Sequence, residues 1–444
     1  MTDQPEVYGL TWPGKRAAAA SAEEPTTATL QALAGESVDP RSTANLFIAG
    51  DNLEALKLLR TSHAGQVKLI YVDPPYNTGS EFIYADKFAG HAAWLSMMYP
   101  RLLLARDLLR EDGVGFVSID GNQVAQLQIL LAEVFGEENV VATIVWVSNL
   151  KGRQLGDGGP AGTHEYILCF ARDRKRIGAF RGSAAELKAL MPAVYKGPAY
   201  EVKEDAKGPY VTKNELYNTN SKFNDRTAPS MVFRIHYNPS TAEVRITDLD
   251  DETTYPGFLV AMPHPNARPG LAWHAWRWSR AKILAEHDEL EFEVTGETFR
   301  VRTKIRDVDG MTLKDLVIGP STATAQTDLE ELGLRRAFET PKPVALLELL
   351  IGACTSGDDL VLDFFAGSAT TAHAVLARNH RDGGGRRFVM VQLDEECAST
   401  SAAAEEGFAT IDAIGRERVR RAGAALRADG FAGDVGFKAL RVRS

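Results

Sequence analysis

Apolar residues along this chain follow two rhythms. Short unbroken runs at Leu46–Ala49, 68–72, 114–119, 140–146 and 166–170 read as buried strands. Between them, apolar positions recur three and four apart. Residues 53–60 form one such stretch. Trp94, Met97, Met98, Leu102, Leu103, Leu108 and Leu109 mark a longer helix over 92–110, closed by Asp112-Gly113. Val124–Phe135 is a third, stopped by Gly136. The same alternation returns much later. Residues 359–363 read as a strand, 364–368 as a turn, 370–378 as a helix and 388–393 as a strand. Strands alternating with helices predict an α/β fold with a mostly parallel sheet.

The two α/β blocks are separated by a region of different texture. Over 181–335 turns are frequent, and short alternating runs occur at 232–237, 243–246 and 290–294. We expect a mixed α+β domain inserted there. Trp273, Trp276 and Trp278 lie beside Arg277 and Arg280, a combination that stacks on bases or packs a small core, with core the reading for at least two of the three. Residues 1–44, rich in Ala, Thr, Pro and Glu, read as a partly ordered arm with a short helix at 26–33.

Composition narrows the class. The chain has 444 residues, 44% hydrophobic and 25% charged, ordinary values for a soluble protein of two or three domains. No apolar run is long enough to span a bilayer, and the N-terminus lacks a signal pattern. The expected location is the cytoplasm. Cys169, Cys354 and Cys397 have no metal-ligand spacing and read as buried free thiols. A net charge of −9 argues against a protein that coats nucleic acid, although a local basic cleft is compatible with it. Lys151, Arg153 and the run Arg172, Arg174, Lys175, Arg176 are candidate phosphate contacts, with a solvated face the plainer alternative for each.

Two loops carry the chemistry. The run at 68–72 ends in Asp73-Pro74-Pro75-Tyr76. Proline fixes its own φ and restricts the residue before it, so the loop is stiff and Asp73 is held extended. Both prolines lack an N–H, so their carbonyls stand as acceptors without donors beside them. A carboxylate, a bare carbonyl and an aromatic face together suit a flat, amino-bearing base. The bland alternative is a strand-to-turn junction. The second loop, Asp363-Phe364-Phe365-Ala366-Gly367-Ser368, links a strand to a helix and allows a ligand to approach backbone and a helix N-terminus. Alone it is a weak motif.

Taken in order, the segments resemble a family. GDNLEALKLL (50–59), KLIYVDPPYNTGSEFIYAD (68–86), TPKPVALLELL (340–350) and DLVLDFFAGSATTAHAV (359–375) resemble the β-class DNA amino-methyltransferases, and most of all the modification subunits of type III restriction-modification systems. That resemblance implies a circularly permuted, Rossmann-like sheet that uses S-adenosyl-L-methionine. It implies a catalytic half at 45–180, a target-recognition domain at 181–335, and a cofactor-binding half at 336–444 ending in a helix and strand. Asp73, Pro74, Pro75 and Tyr76 match the catalytic tetrapeptide, with Tyr76 stacking on the base. Asp363 to Ser368 match the cofactor loop. Thr340 and Lys342 match a segment near the methionine part of the cofactor, with Lys342 suited to its carboxylate. Asp51 and Asn52 match positions near its adenine. Gln392 stands where relatives place an acid for the ribose, with Asp394 two residues on. Ala369 replaces the loop's third glycine, and Phe338-Glu339 replaces a His-Pro. Full type III subunits usually continue beyond the equivalent of GFKALRVRS.

The resemblance implies methyl transfer to N6 of an adenine flipped out of double-stranded DNA, with a homodimer and a restriction subunit as partners. Cytosine-N4 methylation and a non-catalytic DNA-recognition subunit remain open alternatives. His164 and His373 read as structural, because this chemistry needs no imidazole base and no metal.

Overall fold

The computed structural model describes residues 9–79, 86, 88–152, 160–196, 201–306, 308 and 310–443. Arg153, one of the candidate phosphate contacts, lies outside them. Two compact units are present: Met1–Lys196 with Met311–Ser444, and Gly197–Gly310. The second is narrower than the inserted region expected at 181–335.

The first unit is built on a ten-stranded sheet. Its strands are β1 (Thr29–Ala32), β2 (Leu46–Ala49), β3 (Val67–Val72), β4 (Leu109–Ile119), β5 (Val140–Val147), β6 (Glu165–Ala171), β7 (Leu316–Ile318), β8 (Leu360–Asp363), β9 (Arg387–Gln392) and β10 (Lys438–Arg443). Their spatial order is β1-β10-β2-β9-β8-β3-β4-β6-β5-β7. The run β10-β2-β9-β8-β3-β4 is parallel throughout. Beyond β4 the direction alternates, because β6 is antiparallel to both β4 and β5.

Side chains alternate across the pleat, so each strand feeds two cores. Leu69 and Tyr71 of β3 enter one, with Val361, Phe116, Phe388 and the helices Val344–Cys354 and Thr370–Asp382. Ile70 and Val72 enter the other, with Leu360, Leu362, Val117 and the helices Asn52–His63, Gly90–Leu108 and Val124–Phe135. The result is a three-layer α/β structure.

The block order places the site. β8 lies directly beside β3, with Leu362 level with Ile70, although the two are distant in sequence. The helices that follow β3 and β8 belong to opposite faces. A crevice opens where neighbouring strands send their chains to opposite sides, at their C-terminal ends.

The N-terminal segment is a correction. Residues 26–33 are not a helix; the helix lies earlier, at Lys15–Glu23, in the alanine-rich stretch. Thr29–Ala32 is β1, paired antiparallel with β10. Threonine favours strand over helix, and the open edge of β10 supplies the hydrogen bonds. Trp12 and Ala22 are buried in the second core, so the described part of the arm, residues 9–44, belongs to the fold.

The second unit has its own small core, with Phe233, Ile235, Leu216 and Trp276 buried between a three-stranded and a four-stranded antiparallel sheet. Trp276 Nε1 donates to the Phe233 carbonyl at 2.8 Å. Trp278 packs on the same core beneath Lys282 Nζ, 4.3 Å from the ring centroid. Both are structural, as expected for two of the three.

Candidate active site

A cavity of about 260 Å³ sits at the C-terminal ends of β3 and β8. The lining residues singled out in the sequence come from five separate segments. Asp73 and Pro75 come from the loop after β3, Asp363 to Ser368 from the loop after β8, and Asp51 and Asn52 from the end of β2. Thr340 and Lys342 precede the helix Val344–Cys354, and Gln392 ends β9. Thirteen of the fifteen residues singled out in the sequence therefore line one cavity. Pro74 is buried and Tyr76 half-buried behind Asp73; neither lines it.

Asp73, Pro75 and Tyr76 in the loop after β3 are each held by hydrogen bonds. Trp94 Nε1 donates to the Pro75 carbonyl at 2.7 Å. Among the described residues no hydrogen bond reaches the Pro74 carbonyl, which leaves it as the loop's bare acceptor. Lys342 Nζ lies 2.8 and 2.7 Å from the two Asp73 oxygens. The Tyr76 hydroxyl lies 2.8 Å from Asp73 Oδ1 and 3.0 Å from Glu165 Oε2. Lys342 also reaches Glu165 at 3.5 Å and stands 5.1 Å from the Tyr76 ring centroid. Burial pushes the Asp73 carboxyl above its usual range, and the Lys342 ammonium offsets part of that. Burial works against the Lys342 charge, but Asp73 and Glu165 more than compensate and hold its pKa above the usual lysine value.

Lys342 lines the cavity and pairs with Asp73. A buried ammonium beside two carboxylates settles on the nearer one.

The opposite wall is the loop after β8. Asp363 is buried and accepts from the Phe365 amide at 2.9 Å and the Thr371 hydroxyl at 2.5 Å. Burial dominates its ionisation and pushes it up to about 7. Gly367 sits at φ 52°, and its amide donates to Gln392 Oε1 at 2.7 Å. Gln392 thus braces the loop with its oxygen. Asp394 pairs with Arg441 at 3.5 Å and does not line the cavity, whereas Glu395 does. Ala369 occupies the left-handed region at φ 58°, a conformation that costs an L-residue about 1–2 kcal/mol. It is held by its amide bond to the Ala366 carbonyl and by complete burial.

Asp51 caps the helix Asn52–His63 by accepting from the Leu53 and Glu54 amides, and its second oxygen meets Arg101 at 3.2 Å. Asn52 Nδ2 donates to the Phe364 carbonyl at 2.6 Å and ties the two cavity walls together.

Several residues escaped the sequence reading. Glu165, at the start of β6, completes the Asp73 cluster. Arg101, Phe338 and Glu395 line the cavity. Arg418 is fully buried and donates to the hydroxyls of Ser368 and Thr370 at 2.8 and 2.6 Å. Phe338, in place of the family's His-Pro, is the neighbour a Cβ at Gly367 would meet at 3.4 Å. Glu165 directly precedes the strand read at 166–170, Arg101 falls within the helix read over 92–110, and Phe338 was noted only as a departure from the family, so none carried a site signal.

His164 is exposed and bonds Tyr166 at 3.2 Å, and His373 is half-buried, with its pKa pushed down to about 3 by desolvation and then by Arg418. Neither lines the cavity.

The basic run at 172–176 lies away from the cavity. β6 runs antiparallel, so its end at Ala171 lies level with Val114 of β4, which in turn pairs with Leu69 near the start of β3. The Arg172 amide donates to the Gly113 carbonyl. The run is therefore at the end of the sheet opposite Asp73. Lys151 follows β5, whose direction is opposite to β6, and falls on the Asp73 side.

The cavity suits S-adenosylmethionine. Aromatic walls at Phe338 and Phe365 fit a purine, carboxylates at Asp51, Asp363 and Glu395 fit its cationic and hydroxyl groups, and Ser368, Thr370 and Thr371 bring hydroxyl groups to the head of a helix.

Comparison with known proteins agrees. A DNA methylase family model matches residues 67–405. The Mod subunit of the type III restriction-modification enzyme EcoPI, from Escherichia phage P1, is 33% identical over 94% of this chain and 68% of its own length. The StyLTI Mod subunit of Salmonella typhimurium is 31% identical over 90% and 60%, and the EcoP15I Mod subunit of Escherichia coli 29% over 96% and 70%. The chain thus spans 60 to 70% of the length of these relatives. Among solved structures, the M1.HpyAVI–SAM complex aligns at TM-score 0.37 and 12% identity, covering 84% of this chain and 98% of that one, a score too low to carry an argument. Family match and relatives concur: the chain belongs to the DNA methylase family, whose members take the methyl group from S-adenosylmethionine.

Proposed function

We propose that this protein methylates the N6 amino group of an adenine turned out of double-stranded DNA. The observation that supports this most is the placing of Asp73 and Asp363 on one cavity, one at each of two adjacent strand ends. S-adenosylmethionine, held by the loop from Asp363 to Ser368 with Asp51, Asn52, Thr340 and Gln392 around it, supplies an electrophilic methyl group. The chain's own residues orient the amine. Asp73 and the Pro74 carbonyl each accept one N6–H, which turns the nitrogen lone pair away from them. Lys342 first gives up Asp73, and Glu165 at 3.5 Å offers it a second anion. Asp73 then stabilises the positive charge that develops on N6. Tyr76 presents a ring face to the base, and the stiff loop supplies most of the remaining advantage through positioning.

The assignment to adenine rests on the aspartate at position 73 and on the Mod subunits among the relatives. Incubation with unmethylated DNA and S-adenosylmethionine, followed by nucleoside mass spectrometry, tests it. N6-methyladenine is expected. N4-methylcytosine without it would overturn the base assignment, and no methylated base together with no cofactor binding would favour a non-catalytic subunit.

The same reading places the protein in the cytoplasm, as a homodimer working with a restriction subunit. Among the described residues no helix is long and apolar enough to cross a membrane. Light scattering at working concentration tests the dimer. The second compact unit, Gly197–Gly310, is assigned target recognition, within the organisation of arm, catalytic half, recognition domain and cofactor half given above.

A further inference from the structure

We propose that Glu165 receives the proton that leaves N6, delivered from Asp73 through the hydroxyl of Tyr76. This inference rests on the adenine-N6 reading and deepens it. The Tyr76 oxygen lies 2.8 Å from Asp73 Oδ1 and 3.0 Å from Glu165 Oε2. A phenol has one hydrogen to donate and lone pairs to accept. Two carboxylate oxygens within bonding distance of one hydroxyl are both satisfied when one of them carries a proton and donates it to the phenol oxygen. The three groups are therefore built to hold one extra proton at either end. Lys342 faces both ends, at 2.7 Å from Asp73 and 3.5 Å from Glu165, so its charge serves whichever carboxylate is ionised.

The reaction creates such a proton. N6 forms its new bond to the methyl carbon as the carbon–sulfur bond breaks, with that electron pair staying on sulfur. As that bond forms, one N–H bond of N6 breaks, its pair stays on nitrogen, and the proton passes to Asp73, so that N6 ends with one methyl group and one hydrogen and its developing positive charge is discharged within the same step. A base lying against Asp73 covers the route from that carboxylate to water. Asp73 instead passes a proton to the Tyr76 oxygen while Tyr76 passes its own to Glu165. The phenol is never ionised; burial and the two neighbouring carboxylates hold its pKa well above the usual value. The Glu165 side chain retains 20% exposure, enough to release the proton to solvent. Glu165 does not touch the base, and acts as a positioning residue through Tyr76.

The experiment is single-turnover methyl transfer to duplex DNA by Glu165→Gln, Tyr76→Phe and the double variant, with S-adenosylmethionine affinity measured in parallel. Each single variant is expected to slow transfer about tenfold or more with cofactor affinity unchanged. The double variant should be no slower than the slower single, because both cut one path. Glu165→Asp should recover part of the rate. Wild-type protein should slow in D2O with a bowed dependence on deuterium fraction, which becomes linear in Glu165→Gln. Glu165→Gln at the wild-type rate, or losses that multiply in the double variant, would overturn the relay and leave the adenine reading intact. Should Glu165→Gln not fold, Tyr76→Phe alone decides, through its rate and its D2O dependence. Wild-type protein that forms no N6-methyladenine would overturn the functional reading and the relay with it.

Discussion

The two compact units treat charge in opposite ways. In the sheet unit, ionisable groups are buried and face one another: Asp73 with Lys342 and Glu165, Asp363 beneath the glycine turn, and Arg418 behind Ser368. In the unit Gly197–Gly310, the densest cluster runs from half-buried Asp205, Lys304, Arg306 and Glu289 out to exposed Lys207 and Asp288. Buried charges are expensive, persist where they are paired, and respond strongly when a partner is lost. Open pairs are screened and contribute little. The contrast shows where the chemistry resides and where sequence change is tolerated.

The largest expected effect comes from breaking the buried cluster. Asp73→Ala should reduce methyl transfer about a thousandfold, since it removes both the N6–H acceptor and the charge that stabilises the reacting amine. Nucleoside mass spectrometry reads the result. Persistent methylation would dissociate the cluster from the reaction.

Next in size is a steric break in the same unit. A Cβ at Gly115 on β4 would fall 2.0 Å from Phe170 Cζ in the antiparallel neighbour β6. Gly115→Ala should lower stability by about 1–3 kcal/mol. Thermal unfolding checks it, and an unchanged melting temperature would mean that the ring relocates freely.

The third is a pH dependence. Asp363 has its pKa raised by burial to about 7 in the folded chain, against 3.8 as the unperturbed value. The folded state therefore binds more protons than the unfolded state between these values, and stability falls as pH rises from about 4 to 7. Asp363→Asn should flatten that slope by a few kcal/mol at most. A cationic ligand prefers the ionised carboxylate, so S-adenosylmethionine should bind more tightly at pH 8 than at pH 6 to wild type, and with no such gain to Asp363→Asn. Calorimetry at several pH values reads both.

A smaller effect separates the two ends of the sheet. Lys151→Glu is expected to weaken DNA binding several-fold through repulsion of phosphate, while Arg174→Glu leaves it within about twofold. Equal losses would restore the basic run at 172–176 as a DNA contact. Smallest of all, Lys207→Gln, at the exposed edge of that network, should leave both melting temperature and methyl transfer near wild type.

Much of the site was legible because its residues come in contiguous pieces. Asp73 to Tyr76 and Asp363 to Ser368 each follow a recognisable strand, and a strand end fixes where its loop goes. Gln392 was legible in position but not in role, since its bond to the Gly367 amide depends on the turn's final conformation. Glu165 and Arg418 were not legible as site residues. Glu165 falls just before the strand read at 166–170, and Arg418 is one of several arginines on the helix Ile411–Ala428. The helix expected at 26–33 failed for a related reason: its sequence favours neither state strongly, and the vacant edge of β10 decided the matter.

By itself the sequence determined the strands, the helices, the two loops and their order along the chain, because periodicity and turn chemistry are local properties. The tertiary structure alone decided that Lys342 pairs with Asp73, 269 positions away, that Glu165 meets Tyr76, and that the antiparallel course of β6 carries the basic run away from the site. Such contacts follow from strand direction and from the need to pair each buried charge. Both are settled only when distant segments close around one another.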